Sequence, residues 1–354
     1  MNTVRYASWM MSSGYDVVVF CVDESPIHQA ANKEQLPIQL ILRNKKYFDL
    51  FNARKVSQML RAQGVRLIWF RDTRDMDLLF WAKRLFGIKM PYLYQQAMQF
   101  GISKKDPFHT LRFGCIDAWV STLPFLANQV KTMTRFPKNR IYTVPLGVLT
   151  QPTTIGRQEA RHLFGLPDDV FVIGLMGRID VLKGQHEALN ALHILHRAGH
   201  KFHLLLVGDS TLHEGDAYRK QLLYDIKRLQ LEEFVHLQGH TAQVAEFYEC
   251  LDCFLMCSKG ETFGTVTIEA MAYETPIIAT NSGGSPEILD HGRCGQLYTP
   301  GDASALAQCI AQVATDKYTT SEKVLAASNR FEEEFSAEIS IQRMRVIVEK
   351  LIND

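Results

Sequence analysis

The stretch SKGETFGTVTIEAMA, residues 258–272, carries more information than any other part of this 354-residue chain. The apolar run before it, residues 253–257, predicts a buried strand, and the stretch itself passes through a glycine-containing loop into a helical pattern. Backbone amides near Gly264 are therefore expected at a helix N-terminus, directed toward the carboxyl edge of a sheet. Such a place holds an anionic group, because the amides and the helix dipole both attract negative charge.

Two carboxylates, Glu261 and Glu269, bracket this loop at a spacing of eight residues. Eight residues of one continuous helix span about 12 Å, whereas the paired carboxylates of glycoside hydrolases are separated by roughly 5 to 9.5 Å. We therefore expect the two carboxylates to contact different parts of one long ligand. The alternative for Glu269 is an ordinary surface position.

A second stretch of the same kind is GLMGRIDVLKGQ, residues 174–185, where a strand pattern again leads into a loop and a helix. Arg178 supplies a forked guanidinium and Lys183 a compact ammonium within this loop. The pair suits a diphosphate that gathers negative charge as its ester bond breaks. The alternative is that both cations are solvated surface groups.

Short β-rich runs alternate with amphipathic segments around these stretches, which is typical of a doubly wound parallel sheet. The strands predicted in the second half are 170–176, 202–207, 234–237, 252–257, 276–280 and 295–298. The first half is less regular, but a second α/β domain is predicted from similar runs at 15–22, 39–42, 65–70, 91–94, 118–121 and 140–144. Helical patterns at 321–335 and 337–351 end the chain.

Composition and charge indicate a globular protein of two domains. Hydrophobic residues make up 46% and charged residues 22% of the chain, which argues against disorder. No apolar run approaches the roughly 18 residues of a membrane span, and no signal-peptide layout is visible, so we expect a cytoplasmic protein. Residues 1–150 hold 21 Lys and Arg against 10 Asp and Glu, a net +11, whereas the remainder carries −10. This asymmetry, together with the polar residues 147–157, predicts a linker between the halves.

The seven cysteines show no paired spacing typical of disulfides or metal sites. The nearest approach to a motif is Cys250-x-x-Cys253 followed by Cys257, which runs into an apolar stretch. Buried structural thiols are the favoured interpretation, and a zinc or redox site is the alternative.

The combined motifs resemble the retaining glycosyltransferases of family 4. The segments that carry the resemblance are Gly177-Arg178-x4-Lys183-Gly184, Leu206-Val207-Gly208-Asp209, Glu261-x-Phe263-Gly264-x4-Glu269, and PIIATNSGGSPEI at 276–288. The resemblance covers about residues 140–340. It implies an α/β fold of the GT-B class, with two Rossmann-like domains facing each other across a cleft. The domains implied are 1–148 for the acceptor, 149–335 for the nucleotide-sugar donor, and a C-terminal helix, 336–354, that packs back toward the first domain.

The resemblance also implies a role for each matched residue. Arg178 and Lys183 would bind the donor diphosphate and stabilise it as a leaving group, and Glu261 would hold the hydroxyls of the donor sugar. Glu269 would accept hydrogen bonds from the ribose. The donor-binding set is Gly177, Phe263, Gly264, Thr265, Val266 and Glu269. No metal or other cofactor is expected, since the two cations replace it.

The sequence departs from the family pattern in two places. The usual first strand and glycine-rich loop are not visible, because the chain starts in a helical pattern near residues 4–11. Residues 95–99, QQAMQ, stand where many members have a histidine. Two alternatives to a transferase therefore stay open: a noncatalytic or truncated nucleotide-sugar-binding homologue, and a sugar-nucleotide epimerase or hydrolase on the same fold.

The expected partners are a nucleotide-sugar donor and a saccharide or lipid-linked acceptor, in polysaccharide or glycolipid synthesis. The basic first half also allows peripheral contact with an anionic membrane at its inner face. The residues in question are Lys45, Lys46, Arg54, Lys55, Lys83, Arg84, Lys104 and Lys105. Solvated helix faces are the alternative, and no nucleic-acid-binding module accompanies the charge.

Overall fold

The computed structural model describes residues 2–45, 47–210 and 215–353. The chain forms two compact units. The first runs to Pro145 and resumes at Glu338, and the second is Leu146–Ala337. The prediction of an α/β protein with two Rossmann-like units is confirmed by the parallel sheets of both units.

The first unit contains a two-stranded parallel sheet, β1-β2, and a four-stranded parallel sheet in the order β3-β4-β5-β6. Strands β4 and β5 are buried along their whole length, as is usual where helices cover both faces of a parallel sheet. The elements are α1 (Asn2–Ser12), β1 (Val19–Val22), α2 (Pro26–Lys33), β2 (Ile38–Ile41), α3 (Leu50–Ala62), β3 (Ile68–Phe70), α4 (Thr73–Leu85), β4 (Tyr92–Gln95), α5 (Pro107–Phe113), β5 (Ala118–Ser121), α6 (Pro124–Met133) and β6 (Ile141–Thr143).

The second unit is built on one six-stranded parallel sheet in the order β12-β11-β10-β7-β8-β9. Its elements are α7 (Arg157–Leu163), β7 (Val172–Met176), α8 (Gln185–Arg197), β8 (His203–Val207), α9 (Gly215–Arg228), β9 (Val235–Gln238), α10 (Val244–Glu249), β10 (Cys253–Met256), α11 (Thr265–Ala272), β11 (Ile277–Thr280), α12 (Ser285–Ile288), β12 (Gln296–Tyr298), α13 (Ala303–Thr315) and α14 (Lys317–Arg330). The strand order reverses direction between β7 and β10. The crevice at such a switch point is where open α/β sheets bind ligands.

The last helix, α15 (Ala337–Asn353), belongs to the first unit from Glu338 onward. A π-helical turn, Phe331–Phe335, precedes it. On α15, the Oγ of Ser340 lies 2.6 Å from the hydroxyl of Tyr6 on α1 and donates to the carbonyl of Pro145 at 2.7 Å. The Tyr15 hydroxyl donates to Glu349 at 2.8 Å. These bonds join the two ends of the chain within one unit.

The residues interpreted as a linker, 147–157, are bonded to the second unit. The amide of Val148 donates to the carbonyl of Phe335 at 2.9 Å, and the hydroxyl of Tyr273 donates to the carbonyl of Gln151 at 2.8 Å. The polar, Pro- and Gly-containing composition predicts a linker, but this segment is held by hydrogen bonds. Backbone N–H and C=O groups form such bonds whatever the side chains are.

The apolar runs quoted from the sequence form the cores. In the second unit β7, β8 and β10 pack against α8 and α13 through fully buried side chains such as Leu189, Leu204 and Ile310. In the first unit Trp119 is fully buried among aromatic neighbours, including Tyr94 at 4.8 Å between ring centroids. Among the helices that the structure describes, none has the length and hydropathy needed to cross a membrane.

Candidate functional site

The two stretches singled out in the sequence follow neighbouring strands in the second unit. Strand β10 pairs with β7 in parallel, with Cys253 opposite Ile173. The loops that leave their carboxyl ends therefore start side by side at the switch point. Gly184 fixes the distance between them, because it has a φ of +75° and a Cβ there would collide with the carbonyl group of Cys257.

Lys183 and Glu261 meet across the two loops. The Nζ of Lys183 lies 2.6 Å from Oε2 of Glu261, and the side chains are 27% and 20% exposed. A Cβ on Gly177 would lie 3.8 Å from the Lys183 side chain, so this glycine sits directly beside the lysine stem. The structure thus brings three of the predicted site residues together. A partly buried ammonium of this kind can bind a phosphate oxygen, while the carboxylate can accept hydrogen bonds from hydroxyl groups.

Arg178 is exposed, and its guanidinium has no hydrogen bond or ion pair with any residue that the structure describes. Only its backbone is held: the Nε2 of Gln185 donates to the Arg178 carbonyl at 2.8 Å. Gln185 is fully buried at the start of α8, so this hydrogen bond anchors the loop to the interior of the second unit. The structure does not join the Arg178 side chain to Lys183, and the role expected for it stays a prediction.

The loop before α11 is shaped by glycines. Gly264 stands directly before the helix with a φ of +67°, in the left-handed region that favours glycine. Gly283 has a φ of +59°, and a Cβ there would collide with the backbone carbonyl of Glu261. The amide of Gly284 donates to the same carbonyl at 2.8 Å. Gly283 and Gly284 therefore hold the backbone of Glu261 in place, and this fixes the position from which the Glu261 side chain extends.

The N-terminus of α11 includes Thr265 and Val266, whose amides belong to the first turn, where a helix offers no internal acceptor. The amide of Thr267 already donates to the Gly264 carbonyl at 2.9 Å. The Oγ1 of Thr267 is buried without a hydrogen-bond partner among the described residues. Phe263 points inward, 6% exposed, with its ring 6.3 Å from that of Phe335.

Tyr248 on α10 is a site residue that the sequence analysis missed. Its hydroxyl lies 2.8 Å from the carbonyl of Val266 and 3.2 Å from Oε2 of Glu269. The side chain is fully buried and stacks on Tyr273 with 5.2 Å between ring centroids. Burial, followed by the nearby Glu269 carboxylate, raises the pKa of Tyr248, so the hydroxyl stays protonated and can donate. In the sequence Tyr248 was one apolar position of a helical pattern, which gives no hint of this contact.

Of residues 95–99, which stand in the position of the missing histidine, Gln95 and Gln96 are buried in the first unit and the other three are exposed. Gln96 is fully buried, and its Oε1 accepts from the indole of Trp119 at 3.1 Å and from Ser121 at 2.9 Å. Its Nε2 donates to the carbonyl of Met98 at 2.9 Å. Both polar atoms of the Gln96 amide thus have protein partners, as buried polar groups usually do.

The cysteines match their interpretation as structural thiols. All seven are free, and six of them are buried. Burial raises the pKa of Cys250 and of Cys257 to about 12, so neither is a thiolate at neutral pH. Within residues 2–45, 47–210 and 215–353, no three His, Cys, Asp or Glu side chains are grouped so that they could hold a metal ion.

Comparison with known proteins gives a family match and several relatives. The model of the family described as glycosyl transferases group 1 matches residues 156–332. The capsular polysaccharide biosynthesis glycosyltransferase CapM of Staphylococcus aureus is 32% identical over 174 residues, which are 49% of this chain and 44% of CapM. The N-acetyl-alpha-D-glucosaminyl L-malate synthase of Bacillus anthracis is 32% identical over 151 residues, 43% of this chain and 38% of the relative. The chain spans less than half the length of these two relatives.

Solved structures match over nearly the whole chain. A glycosyltransferase of Rickettsia africae superposes with a TM-score of 0.87 at 19% identity. The match covers 100% of this chain and 94% of the Rickettsia chain. HepE of Anabaena, solved in complex with UDP and glucose, has a TM-score of 0.80 at 21% identity and covers 98% and 95%. Similarity at this level of identity concerns the fold, and it confirms the predicted GT-B class.

Proposed function

Since this chain belongs to the glycosyl transferases group 1 family, we propose that it moves a sugar from a nucleotide-diphosphate donor to a hydroxyl of a saccharide or lipid-linked acceptor. The anomeric configuration is retained. The observation that carries the proposal is the ion pair of Lys183 and Glu261, 2.6 Å apart at the switch point between β7 and β10. It sets a cation for the leaving diphosphate beside a carboxylate for the sugar.

Charge stabilisation at the leaving group is the main catalytic effect in this proposal. As the bond between sugar and diphosphate breaks, negative charge grows on the departing oxygen. Lys183 and the first amides of α11 stabilise that charge, and the exposed guanidinium of Arg178 adds to the effect. No metal is part of the proposal. Glu261 holds the sugar ring through its hydroxyls, which is a positioning role.

Glu269 binds the ribose hydroxyls of the donor in this proposal. Its carboxylate is held by the Tyr248 hydroxyl at 3.2 Å, on the helix whose first amides face the diphosphate. A single rigid helix then spaces the ribose contact from the diphosphate contact. The UDP bound to Anabaena HepE makes uracil the first base to test. The name of the S. aureus relative supports a role in polysaccharide synthesis at the cell surface.

The donor site is tested by thermal shift with uridine, guanosine and adenosine diphosphates and their common sugars. Ligand at 100 times its dissociation constant stabilises the folded state by about 2.7 kcal/mol. We expect one base to stabilise the wild type and to lose that effect in Lys183→Ala. Lys201→Ala, an exposed lysine at the opposite end of β8, is the matched control and should respond like wild type. Equal shifts in Lys183→Ala and wild type would contradict the assignment.

Transfer is distinguished from the two alternatives by its products. With donor and a mixture of saccharide acceptors, a transferase forms a new glycoside, which mass spectrometry detects. Free sugar released at the same rate with and without acceptor indicates a hydrolase, and an isomeric sugar nucleotide indicates an epimerase. Nucleotide binding without any turnover indicates a noncatalytic homologue.

The proposed location is the cytoplasm, with peripheral contact to the inner face of an anionic membrane. The first unit exposes an aromatic-basic surface, which consists of Tyr47, Phe48, Phe51, Phe108, Lys45, Arg54 and Lys55. Phe48 and Phe51 are 67% and 64% exposed, and the Lys55 ammonium lies 4.4 Å from the centre of the Phe51 ring. Aromatic rings bounded by lysine and arginine suit the boundary between acidic headgroups and acyl chains.

The other basic residues named in the sequence support this surface unequally. Arg84 and Lys105 are exposed, and Lys104 is half-buried. Lys83 is already paired with Asp117 at 2.6 Å. Lys46 lies outside the described residues.

Vesicle sedimentation tests the membrane contact. The wild type should bind vesicles rich in phosphatidylserine and not pure phosphatidylcholine, and the double variant Phe48→Ser, Phe51→Ser should lose that binding. Val346→Ser, a 64% exposed position on α15, is the control. Equal binding by the double variant and the control would exclude this surface.

A further inference from the structure

In the described part of the first unit, the carboxyl edge of the four-stranded sheet holds a cation without a counter-charge. Arg71 directly follows β3 and is half-buried. Its guanidinium has no hydrogen bond, ion pair or ring contact with any residue in the described part of the chain. Burial lowers the pKa of Arg71, and the groups that act against this shift are the phenols of Tyr6 and Tyr94 rather than a carboxylate.

A second unused donor lies on the adjacent strand. Gln95, the last residue of β4, is fully buried. Its Oε1 accepts from the indole of Trp69 at 3.2 Å. Its Nε2 is buried with no partner in the described residues. A buried amide donor without an acceptor is destabilising, because it has given up its hydrogen bonds to water, so such a group calls for an explanation.

The two donors lie on one face of the sheet. The hydrogen bond between Trp69 and Gln95 places these side chains on the same side of β3 and β4. Arg71 is two residues beyond Trp69, and side chains two apart along extended backbone share a face. The Tyr6 ring lies 5.0 Å from the Trp69 ring, and Tyr6 and Tyr94 both act on the charge of Arg71.

The neighbouring carboxylate does not neutralise Arg71. Asp72 accepts from the Nε of Arg74 at 3.1 Å and from its Nη2 at 2.8 Å, so it forms a two-pronged pair with another arginine. It also caps α4 by accepting from the Arg74 amide at 2.8 Å. A half-buried cation and a buried amide with no acceptor together favour a ligand that brings its own negative charge.

We propose that Arg71 and the side-chain amide of Gln95 form a subsite for an oxyanion, a phosphate or a carboxylate, carried by the acceptor. The planar guanidinium fork matches two oxygens of either group, and the amide supplies a further donor. The inference rests on the proposed transferase function, and it narrows the acceptor to an anionic saccharide or a phosphate-linked one. All residues of this subsite belong to the first unit, whereas Lys183 and Glu261 belong to the second.

Binding experiments on the full chain test the subsite separately from the donor site. The probes are inorganic phosphate, glucose 6-phosphate and glucuronate, with glucose as the neutral control, measured by calorimetry in a Lys183→Ala background. This background weakens the diphosphate site, where phosphate would otherwise compete. We expect at least one anion to bind, glucose to bind at least tenfold more weakly, and Arg71→Gln to lower anion affinity at least tenfold. Preference between glucose 6-phosphate and glucuronate tells phosphate from carboxylate.

Two further variants keep the test decisive. Arg135→Gln, at an exposed arginine of the same unit, should leave anion affinity unchanged. Arg71→Lys keeps the charge but loses the fork, so it should retain part of the affinity; it also replaces Arg71→Gln if that variant does not fold. Nucleotide binding is measured for the Arg71 variants in the otherwise wild-type chain.

The outcomes separate this inference from the proposed function. Nucleotide binding with no anion binding overturns the subsite and leaves the donor site standing. Loss of nucleotide binding in Arg71→Lys contradicts the proposal that Arg71 binds the acceptor and not the donor. No binding of nucleotide to the wild type is instead a failure of the proposed function.

Discussion

At the scale of single residues, Lys183 and Glu261 neutralise each other at 2.6 Å. The loops that carry them are fixed by glycines with positive φ, Gly184 and Gly283, which let backbone approach backbone. A carboxylate beside the diphosphate cation has two opposite effects. It orients the lysine, and it competes with phosphate for the same ammonium.

Glu261→Gln separates these two effects. The amide keeps the shape of the side chain but no longer attracts the Lys183 ammonium as a charge. We expect the affinity for nucleoside diphosphate to rise a few-fold, because the phosphate no longer displaces a carboxylate. We expect the transfer rate to fall at least tenfold, because sugar positioning is lost. Calorimetry and initial rates measure the two quantities, and a fall in both would show that Glu261 serves mainly to place the lysine.

Tyr248→Phe removes the hydroxyl that joins Glu269 and Val266. We expect a loss of about 1 to 2 kcal/mol in the free energy of unfolding, since a buried hydroxyl no longer donates a hydrogen bond to this helix. KM for the donor should rise several-fold with little change in kcat, because the contact concerns the ribose and not the reacting bond. Tyr273→Phe, which loses the hydroxyl contact with Gln151, is the control for KM. Equal KM values for both variants would contradict a role for Tyr248 in holding Glu269.

At the scale of elements, neighbouring strands bring titratable groups together in a way that a strand prediction does not reveal. His203 on β8 and His236 on β9 face each other, with 3.0 Å from the Nδ1 of His203 to the Nε2 of His236. Burial, and then the positive charge that His236 gains on protonation, lowers the pKa of His203 to about 4. Burial also lowers the pKa of His236.

The histidine pair predicts acid sensitivity of the second unit. Each pKa is lower in the folded than in the unfolded state, so the unfolded chain binds more protons below pH 6.5. The free energy of unfolding is therefore unaffected above pH 6.5 and falls as the pH drops from 6.5 toward 4, by up to about 3 kcal/mol for His203. Urea titrations at pH 7.5 and 4.5 measure the effect. His203→Gln should show a smaller difference between the two pH values, and an unchanged difference would contradict the assignment.

At the scale of the whole molecule, the chain builds its first unit from both of its ends. The segment to Pro145 and the residues from Glu338 share one unit, and the bond from Ser340 to the Pro145 carbonyl lies where the chain leaves and re-enters it. The stability of the first unit therefore depends on residues that follow the entire second unit in the sequence.

Met344→Ala tests this dependence. Met344 on α15 is fully buried, and truncating a buried methionine costs about 2 to 5 kcal/mol. In calorimetry, the melting temperature of the first unit should fall. The melting temperature of the second unit, which is identified by its rise when nucleotide is added, should not change. Val346→Ala, at a 64% exposed position two residues along the same helix, should change neither transition. A shift of the nucleotide-dependent transition alone would contradict the assignment of α15.

The local pattern of the sequence determined the strands, the glycine loops, the buried thiols and the family to which the chain belongs. The predicted strand 118–121 coincides with β5, and the strands of the second half differ from prediction by one or two residues at their ends. These features depend on neighbours a few positions apart, so the sequence displays them directly. The tertiary structure alone decided the strand order, the pairing of Lys183 with Glu261, 78 positions away, and the contact of Tyr248 with Glu269. It also placed Trp69 and Gln95 on one face of the four-stranded sheet. Such contacts depend on which strands become neighbours, and that choice is made by packing of the whole core rather than by any local run of residues.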